Sequence, residues 1–499
     1  MYSVVKFQIR QGNEFFDYCD HLTKAANNLY NAALFRVRQV LTFTNKPQSQ
    51  WTANEWEVFH ELESALPLMN QVSKRQHYQM PSAGKTFLSY MFLNTLLHVT
   101  NNPDYTSENI SAHTAQTTLK KVVANMKSFY VAIREYNKAP EKFTGRPKLP
   151  KYGKPGSNRT VEISNQECVI YAKADGGAEI KLPKAHKRFD IGDTPITGKL
   201  MQASIVPLHG IFLLILVLDD GQPEPKPEEP SRICAIDMGV NNLAAITNNV
   251  GKPCLLFKGG IAKSINRWYN KQMAKIMSEQ TTDSKAKFVM TSEADALCLK
   301  RNNRLNDLMH KTAKAIVEWC KTNDIDTIVI GKTKSWKQET NIGAKNNQNF
   351  VQIPFDTLRW DISYRAAREG INVIEQEESY TSVASFMAKD AIPVYGENDS
   401  NAKFSGRRIR RGVYRNANGS EINADLNGSA NILRKAFPDV FKEQLVPDFQ
   451  SVVIIQHPDH EKVVTLRNKQ FAMKKTISKA KLRRLAYKQK RNPSGIVAS

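Results

Sequence analysis

Residues 233–239 read ICAIDMG, and this short run decides the fold. An apolar segment of strand length carries a carboxylate, Asp237, to its end, and Gly239 lets the backbone turn away beside it. A carboxylate so placed is costly unless it is paired, hydrated or bound to a metal. By itself an Asp ahead of a glycine reads as a turn cap. The sequence downstream argues for more. Leu243–Thr247 and Cys254–Lys258 read as two further strands, with Asn248–Gly251 as the turn between them. Helical sequence fills Ile261–Asn323, a strand follows at Asp326–Gly331, then a helix at Phe355–Glu369 and a strand at Ile371–Gln376. A last helix starts near Asp425 and runs to about Ala436. Three strands, helix, strand, helix, strand, helix is an α/β order of the RNase H type.

Two more acidic positions fall on this frame. Glu377 and Glu378 follow the strand INVIEQ (371–376), and strand ends line the functional crevice of an α/β sheet. Neighbouring strand residues point to opposite faces, so only one of the pair can readily join a shared site. Asp425 lies in INADLNGSANILRK (422–435), where helix capping is the plain alternative. Taken singly, each acid has an ordinary structural explanation. Taken together, Asp237, Glu378 and Asp425 arrive in order on the right elements, with Glu377 in reserve. Phosphodiester cleavage builds negative charge on the attacking and leaving oxygens, which two divalent cations about 3.5–4 Å apart can stabilise. Hard cations take oxygen ligands, so carboxylates are the expected donors. No Ser-His-Asp arrangement competes, and the ten histidines show no ligand spacing.

Upstream of the fold-deciding run, Gly221–Pro230 (GQPEPKPEEP) is a Pro- and Glu-rich linker. Before it, Tyr2–Arg10 alternates apolar and polar residues as a half-buried strand does. Phe15–Thr42, Lys85–Val99 and Thr114–Tyr136 carry helical apolar spacing. Proline and glycine block regular structure in FTGRPKLPKYGKPG (143–156). Strand-like segments follow at Thr160–Ile163, Cys168–Ala172, Glu179–Leu182 and Gln202–Leu218. Met1–Arg10 and Arg159–Asp219 are therefore expected to form one β domain interrupted by an inserted helical domain. No internal repeat is found.

Charge points to a polyanion. The 499 residues carry a formal net charge of +23, with a pI near 9.6. Basic runs lie at Lys142–Lys154, Arg407–Arg411 and Arg467–Arg491. The first two alternate with Gly, Pro and aromatic residues and read as ordered loops near phosphates; the last belongs to a tail without acidic residues beyond Val464. The six cysteines are scattered, which argues against a disulfide framework and against a zinc site built on paired cysteines. No window has the length and apolarity of a membrane span, and MYSVVKFQIRQ is no secretory signal, so a prokaryotic cytoplasmic location is expected.

CAIDMGVNNLAAITNN (234–249), EESYTS (377–382), FSGRRIRRGVYR (404–415) and INADLNGSANIL (422–433) resemble the RuvC-type segments of the TnpB family of transposon-encoded RNA-guided DNA nucleases, related to compact type V CRISPR effectors. GKTKSWKQETNIGAKNNQNFVQIPF (331–355), HTAQTTLKKVVANMKSFYVAI (113–133) and FTGRPKLPKYGKPG (143–156) resemble other parts of that family. The resemblance runs from Met1 to about Phe437. It implies a multidomain α/β plus α protein, with a β-barrel wedge domain at 1–12 and 143–220 and a helical recognition domain inserted at 13–142. A linker would span 221–231, and an RNase H-like nuclease 232–382 and 422–440. A nucleic-acid-binding insert would fill 383–421, and a basic extension 441–499. The expected partners are a guide RNA scaffold and double-stranded target DNA beside a short adjacent motif, bound by a monomeric ribonucleoprotein. The expected cofactor is a pair of Mg²⁺ ions, with Mn²⁺ as the alternative, held by Asp237, Glu378 and Asp425. Candidate nucleic-acid contacts are Arg146, Lys148, Lys151, Tyr152, Lys154, Lys334, Trp336, Lys337, Arg407, Arg408, Arg410 and Arg411.

Two departures stand out. Many relatives place the second acid in a V-x-E-D-L-like strand, where this chain reads IVIGKTK with Gly331 at the position of the acid. Glu378, just before the Thr381–Ser382 pair, takes that role on the pattern of some family branches. Relatives also carry paired cysteines between that pair and the last Asp, and residues 383–421 contain none, so no zinc is expected. A nuclease-inactive RNA-guided DNA-binding repressor and a DNA-rearranging transposase on the same fold are the rival functions.

Overall fold

The alternation at the N-terminus becomes strand β1 (Tyr2–Ile9), whose neighbour in the sheet is more than two hundred residues away in sequence. The computed structural model describes residues 2–74, 76–193, 196–221, 229–281, 287–332, 352–396, 402–410, 412–442 and 446–459. They fall into two compact units, 1–224 with 276–300, and 225–275 with 301–499. None of the described helices is long and apolar enough to cross a membrane.

In the first unit, helices α1 (Phe16–Phe43), α2 (Ala53–Val72), α3 (Tyr90–Val99) and α4 (Ala112–Lys138) follow β1. Helix α2, for which the sequence reading gave no bounds, starts on a capping box in which Thr52 and Glu55 satisfy each other's backbone donors. Helix α3 begins only at Tyr90, because Ser89 caps it by accepting from the Phe92 N–H; the expected start at Lys85 is too early. Strands β2 (Val161–Ser164), β3 (Val169–Ala172), β4 (Ala178–Lys181), β5 (Phe189–Asp190), β6 (Lys199–Leu208) and β7 (Ile211–Asp219) come next. They form a four-stranded sheet ordered β1-β7-β6-β2 and a three-stranded sheet ordered β3-β4-β5. The apolar stretch expected as one strand at Gln202–Leu218 is a hairpin. His209 and Gly210 both take positive φ, 46° and 72°, and fold β6 back on β7. Helix residues Leu22, Leu29, Leu119 and Val122 share one core with Ile163, Ile205 and Leu214 of the strands.

The second unit is built on one six-stranded sheet. Its strands are β8 (Ile233–Asp237), β9 (Asn242–Asn248), β10 (Pro253–Lys258), β11 (Thr327–Lys332), β12 (Asn372–Glu377) and β16 (Asp448–Ile455). Their order is β12-β11-β8-β9-β10-β16. Strands β8, β9 and β10 form an antiparallel meander, whereas β11 runs parallel to β8 and β12 parallel to β11. The element order anticipated from the sequence is thus present. Strand β16 was not anticipated: it pairs in parallel with β10 from within the stretch read as a basic extension. Helices α5 (Gly260–Gln280) and α6 (Ser292–Thr322) contribute residues to both units. Helices α7 (Phe355–Arg368) and α8 (Ala424–Ala436) belong to the second unit, as does a small antiparallel sheet of β13 (Arg407–Arg410), β14 (Val413–Arg415) and β15 (Glu421–Asn423).

The pleat of β8 sorts its side chains. Cys234 and Ile236 join a core with Ile316, Val317 and Leu358 of α6 and α7. Ile233 and Ala235 join another with Ile432 and Leu433 of α8. Period two therefore puts Asp237 on the α8 side of the sheet.

Candidate functional site

Asp237 ends β8, Glu378 stands one residue past the end of β12, and Asp425 lies in the first turn of α8. Helix α8 packs on the sheet through a small, polar inner face. The Ser429 hydroxyl donates to the Ala235 carbonyl at 2.8 Å, and its oxygen accepts from the Thr247 N–H at 3.1 Å, so one side chain bolts the helix to β8 and β9. A Cβ at Gly428 would lie 2.6 Å from Asp237 Oδ2, well inside contact distance. Asn423 caps the helix by accepting from the Asp425 and Leu426 N–H groups, fixing where Asp425 projects. Buried Asn427 and Asn431 donate to the Ala384 carbonyl, and Asn431 also to that of Thr381, hanging the loop after β12 on the same helix.

The two carboxylates of the Glu377–Glu378 step go different ways, and the pleat is only part of the reason. Glu377 pairs with buried Lys435 of α8 at 2.5 Å, and Lys435 also donates to the carbonyls of Ser379 and Pro393. Burial works against the Glu377 charge, but the bonds from Lys435 and Ser379 outweigh it and hold its carboxyl below the ordinary range. Glu378 lies beyond the ladder, and a bend with Tyr380 at φ 64° turns the chain there. The Thr381 hydroxyl and N–H both donate to the Glu378 carbonyl, closing that bend. The Glu378 carboxylate reaches over to β11, where a Cβ on Gly331 would fall 2.2 Å from Oε2. The space that a side chain at position 331 would need is filled by the Glu378 carboxylate and by Ile432 Cδ1, 2.6 Å from that Cβ.

Electrostatics link the three. Burial, then the charges of Asp425 and Glu378, push the Asp237 carboxyl well above the ordinary carboxylate range, with Arg408 opposing. Asp425 is held from two sides: Asn242 donates to Oδ2 at 2.6 Å, and Arg408 of β13 donates to Oδ1 at 3.0 Å. Lys258 in turn donates to Asn242 Oδ1 at 2.9 Å. Burial pulls the Lys258 ammonium down, and Asp425 resists that shift. Three carboxylates with no soft ligand suit a hard divalent cation in kind, and their mutual repulsion is the field such a cation would relieve. Among the described residues no group of three or more His, Cys, Asp or Glu is spaced to hold a metal ion, so the three acids do not form a closed cage as they stand.

The remaining candidates scatter. In the insert, Arg408 turns to Asp425, Arg410 lies 3.8 Å from Glu421, and Arg407 is exposed. Arg411, Lys334, Trp336 and Lys337 lie outside the described residues. Arg146, Lys148, Lys151, Tyr152 and Lys154 are exposed on a loop that is itself anchored. Asn31 donates to the Gly153 carbonyl and accepts from its N–H, and Asn27 donates to the Lys154 carbonyl. The guanidinium of Arg38 lies over the Tyr152 ring at 4.8 Å. Sequence reasoning missed Asn242, Lys258, Gly428 and Ser429. The polar start of β9 and the small run Gly428–Ala430 were the available signals, and both also read as ordinary turn and helix chemistry.

Residues 216–337, which include Asp237, match the family model OrfB_IS605, described as a probable transposase. The chain is 25% identical over 244 residues to the TnpB-like protein ORF457 of Acidianus two-tailed virus, covering 48% of each chain. The match therefore spans about half the length of that curated relative. Among solved structures it is similar to Cas12f1 from a cryo-EM complex with sgRNA and target DNA, at 15% identity and a TM-score of 0.30 over 87% of this chain and 98% of that one. It is also similar to C2c1 of Alicyclobacillus acidoterrestris in complex with single-guide RNA, at 8% identity and a TM-score of 0.29 over 82% and 70%. The sequence matches agree with the resemblance carried by the motifs: over these stretches the chain is similar to TnpB-like proteins.

Proposed function

We propose that the chain is an RNA-guided DNA endonuclease that hydrolyses phosphodiester bonds of double-stranded DNA beside a short adjacent motif. The observation that carries this reading is the convergence of Asp237, Glu378 and Asp425 from three elements, close enough for the latter two to raise the first carboxyl. In this reading the three acids hold divalent cations, Mg²⁺ or Mn²⁺. Such ions, when bound, supply positive charge to the attacking and leaving oxygens. The chain's own residues arrange the site. Asn242 and Asn423 orient Asp425, Gly428 and Gly331 leave room for the other two carboxylates, and Arg408 offers a guanidinium that can pass from Asp425 to a phosphate. The first unit serves as wedge and recognition domains for the guide RNA, and residues 383–421 handle target DNA. The +23 charge supports both roles.

A second reading, a repressor that binds without cutting, is favoured by one observation: both Asp425 oxygens are already taken, by Asn242 and Arg408. The test is purified ribonucleoprotein, carrying its copurifying RNA, incubated with matching DNA and Mg²⁺. Cleavage by the wild type that is lost in Asp237→Ala supports the nuclease. Binding without cleavage by the wild type establishes the repressor, and joined strands would point to a transposase.

A further inference from the structure

The first unit contains a polar cavity of about 520 Å³ between α1, α4 and the anchored loop. Its lining includes Asn27, Thr117, Thr118, Lys121, Arg159 and Glu162. Lys121 and Glu162 neutralise each other at 3.2 Å, which leaves Arg159 as the uncompensated charge. The Arg159 guanidinium lies over the ring of buried Tyr30, its Cζ 3.5 Å from the centroid. Its Nε–H is buried and finds no acceptor among the described residues. A guanidinium is a planar fork of five donors, made to bind carboxylate or phosphate in pairs of hydrogen bonds. Here one face is spent on an aromatic ring and the donors are left over.

The placement of Arg159 is built in. Its N–H donates to the Thr23 carbonyl at 3.1 Å, and neighbouring Asn158 donates to Asp20 and Thr23 of α1. Tyr30 is fixed from behind, because Asn125 donates to its hydroxyl at 2.9 Å. Gly153 closes the loop against Asn27, where a Cβ would come within 1.9 Å of Oδ1. Burial pulls the Arg159 pKa down, as expected of a cation held short of water without a counter-ion.

We propose that this cavity is a phosphodiester site for bound RNA, with Arg159 donating to the phosphate while Tyr30 holds its plane. The inference rests on the reading of the chain as an RNA-binding protein. RNA fits better than duplex DNA on shape. A duplex presents its phosphates on a convex cylinder, whereas looped or single-stranded RNA can turn one nucleotide into a concave pocket. Thr117 and Thr118 line the same space; their hydroxyls donate to the His113 and Thr114 carbonyls, and each oxygen keeps a lone pair to accept from a 2′-hydroxyl.

The test uses the full chain, freed of copurified RNA, with a structured RNA hairpin of about thirty nucleotides and a DNA duplex of matching sequence as probes. Affinity is read by fluorescence anisotropy across a salt series. Arg159→Gln should weaken RNA binding about tenfold and lower the salt slope by about one, with duplex binding unchanged. Arg159→Lys should keep the slope and lose affinity. Unchanged RNA affinity in Arg159→Gln, or a loss confined to the duplex, overturns the proposal. If the wild type binds neither probe, it is the RNA-binding reading that has failed. Should Arg159→Gln unfold, phenylglyoxal labelling of the wild type decides instead. Arg159 should be modified in free protein and protected by the hairpin but not by the duplex; labelling that the hairpin leaves unchanged overturns the proposal.

Discussion

Asp237 faces the charges of Asp425 and Glu378, and the consequence for stability has a definite sign. Its native pKa lies above the unfolded value of about 4, so the native state holds the proton longer. The stabilising contribution of that proton is complete below the unfolded pKa and is lost as pH rises through the native one. Without divalent cation, Asp237→Asn should therefore melt higher than wild type at neutral pH, and the gap should close in acid. Adding Mn²⁺ should raise the melting temperature of the wild type and leave the variant unmoved. Thermal unfolding at several pH values, with and without the ion, checks both halves.

The neighbouring glutamates separate in the same spirit. Glu377→Ala strands buried Lys435 and should cost about 3 kcal/mol while DNA cutting survives. Glu378→Ala should abolish cutting with little loss of stability, since it also removes a charge that repels Asp237. Denaturant unfolding and a cleavage assay on the two variants distinguish them, and the reversed pattern would exchange their roles. The sequence could mark both residues but not divide them. What divides them is Lys435, fifty-eight positions away on α8, together with the bend at Tyr380.

At the level of elements, long periodic segments were legible and local reversals were not. Helices α1, α4, α7 and α8 and strands β8 to β12 fall within a few residues of their expected bounds, because hydrophobic period alone determines them. The β6–β7 hairpin was hidden because its strands form one apolar run and His209 is a weak turn signal. Strand β16 was hidden because the surrounding basic charge dominates the reading of that stretch, although SVVII (451–455) is itself strand-like. Helix α8 yields a prediction at this scale. Gly428→Ala should push the helix or Asp237 out of place and lower cleavage about a hundredfold, while stability falls by only about 1–3 kcal/mol. Single-turnover cleavage beside a melting curve would show whether activity falls first.

For the whole molecule, charge and topology make separate claims on the C-terminal stretch. Ending the chain after residue 466 removes the basic run from Arg467 but spares β16. RNA binding should weaken and become less salt-sensitive, with the melting temperature unchanged. Ending it before Asp448 also strips β10 of a sheet partner and should destabilise the second unit. Comparing the two truncations by melting and by RNA titration separates electrostatic from structural roles. Net charge pointed to a polyanion partner. It could not foresee that individual basic side chains are committed internally, as Arg408 is to Asp425 and Lys435 to Glu377.

The carboxylate of Glu378 and the buried side chain of Ile432 together occupy the space beside Gly331, where a Cβ would fall 2.2 Å from Glu378 Oε2 and 2.6 Å from Ile432 Cδ1, so the three positions form one steric lock. Writing an acid into position 331 alone would crowd two side chains into one volume, and erasing Glu378 alone would leave that volume empty. Each single step should therefore be inactive, and the exchange Gly331→Glu with Glu378→Gly should restore cutting only when Ile432→Ala also clears the new Cβ. A route between the two arrangements by point changes crosses a valley, so the alternative wiring of this site is one that laboratory evolution would reach only by several changes at once.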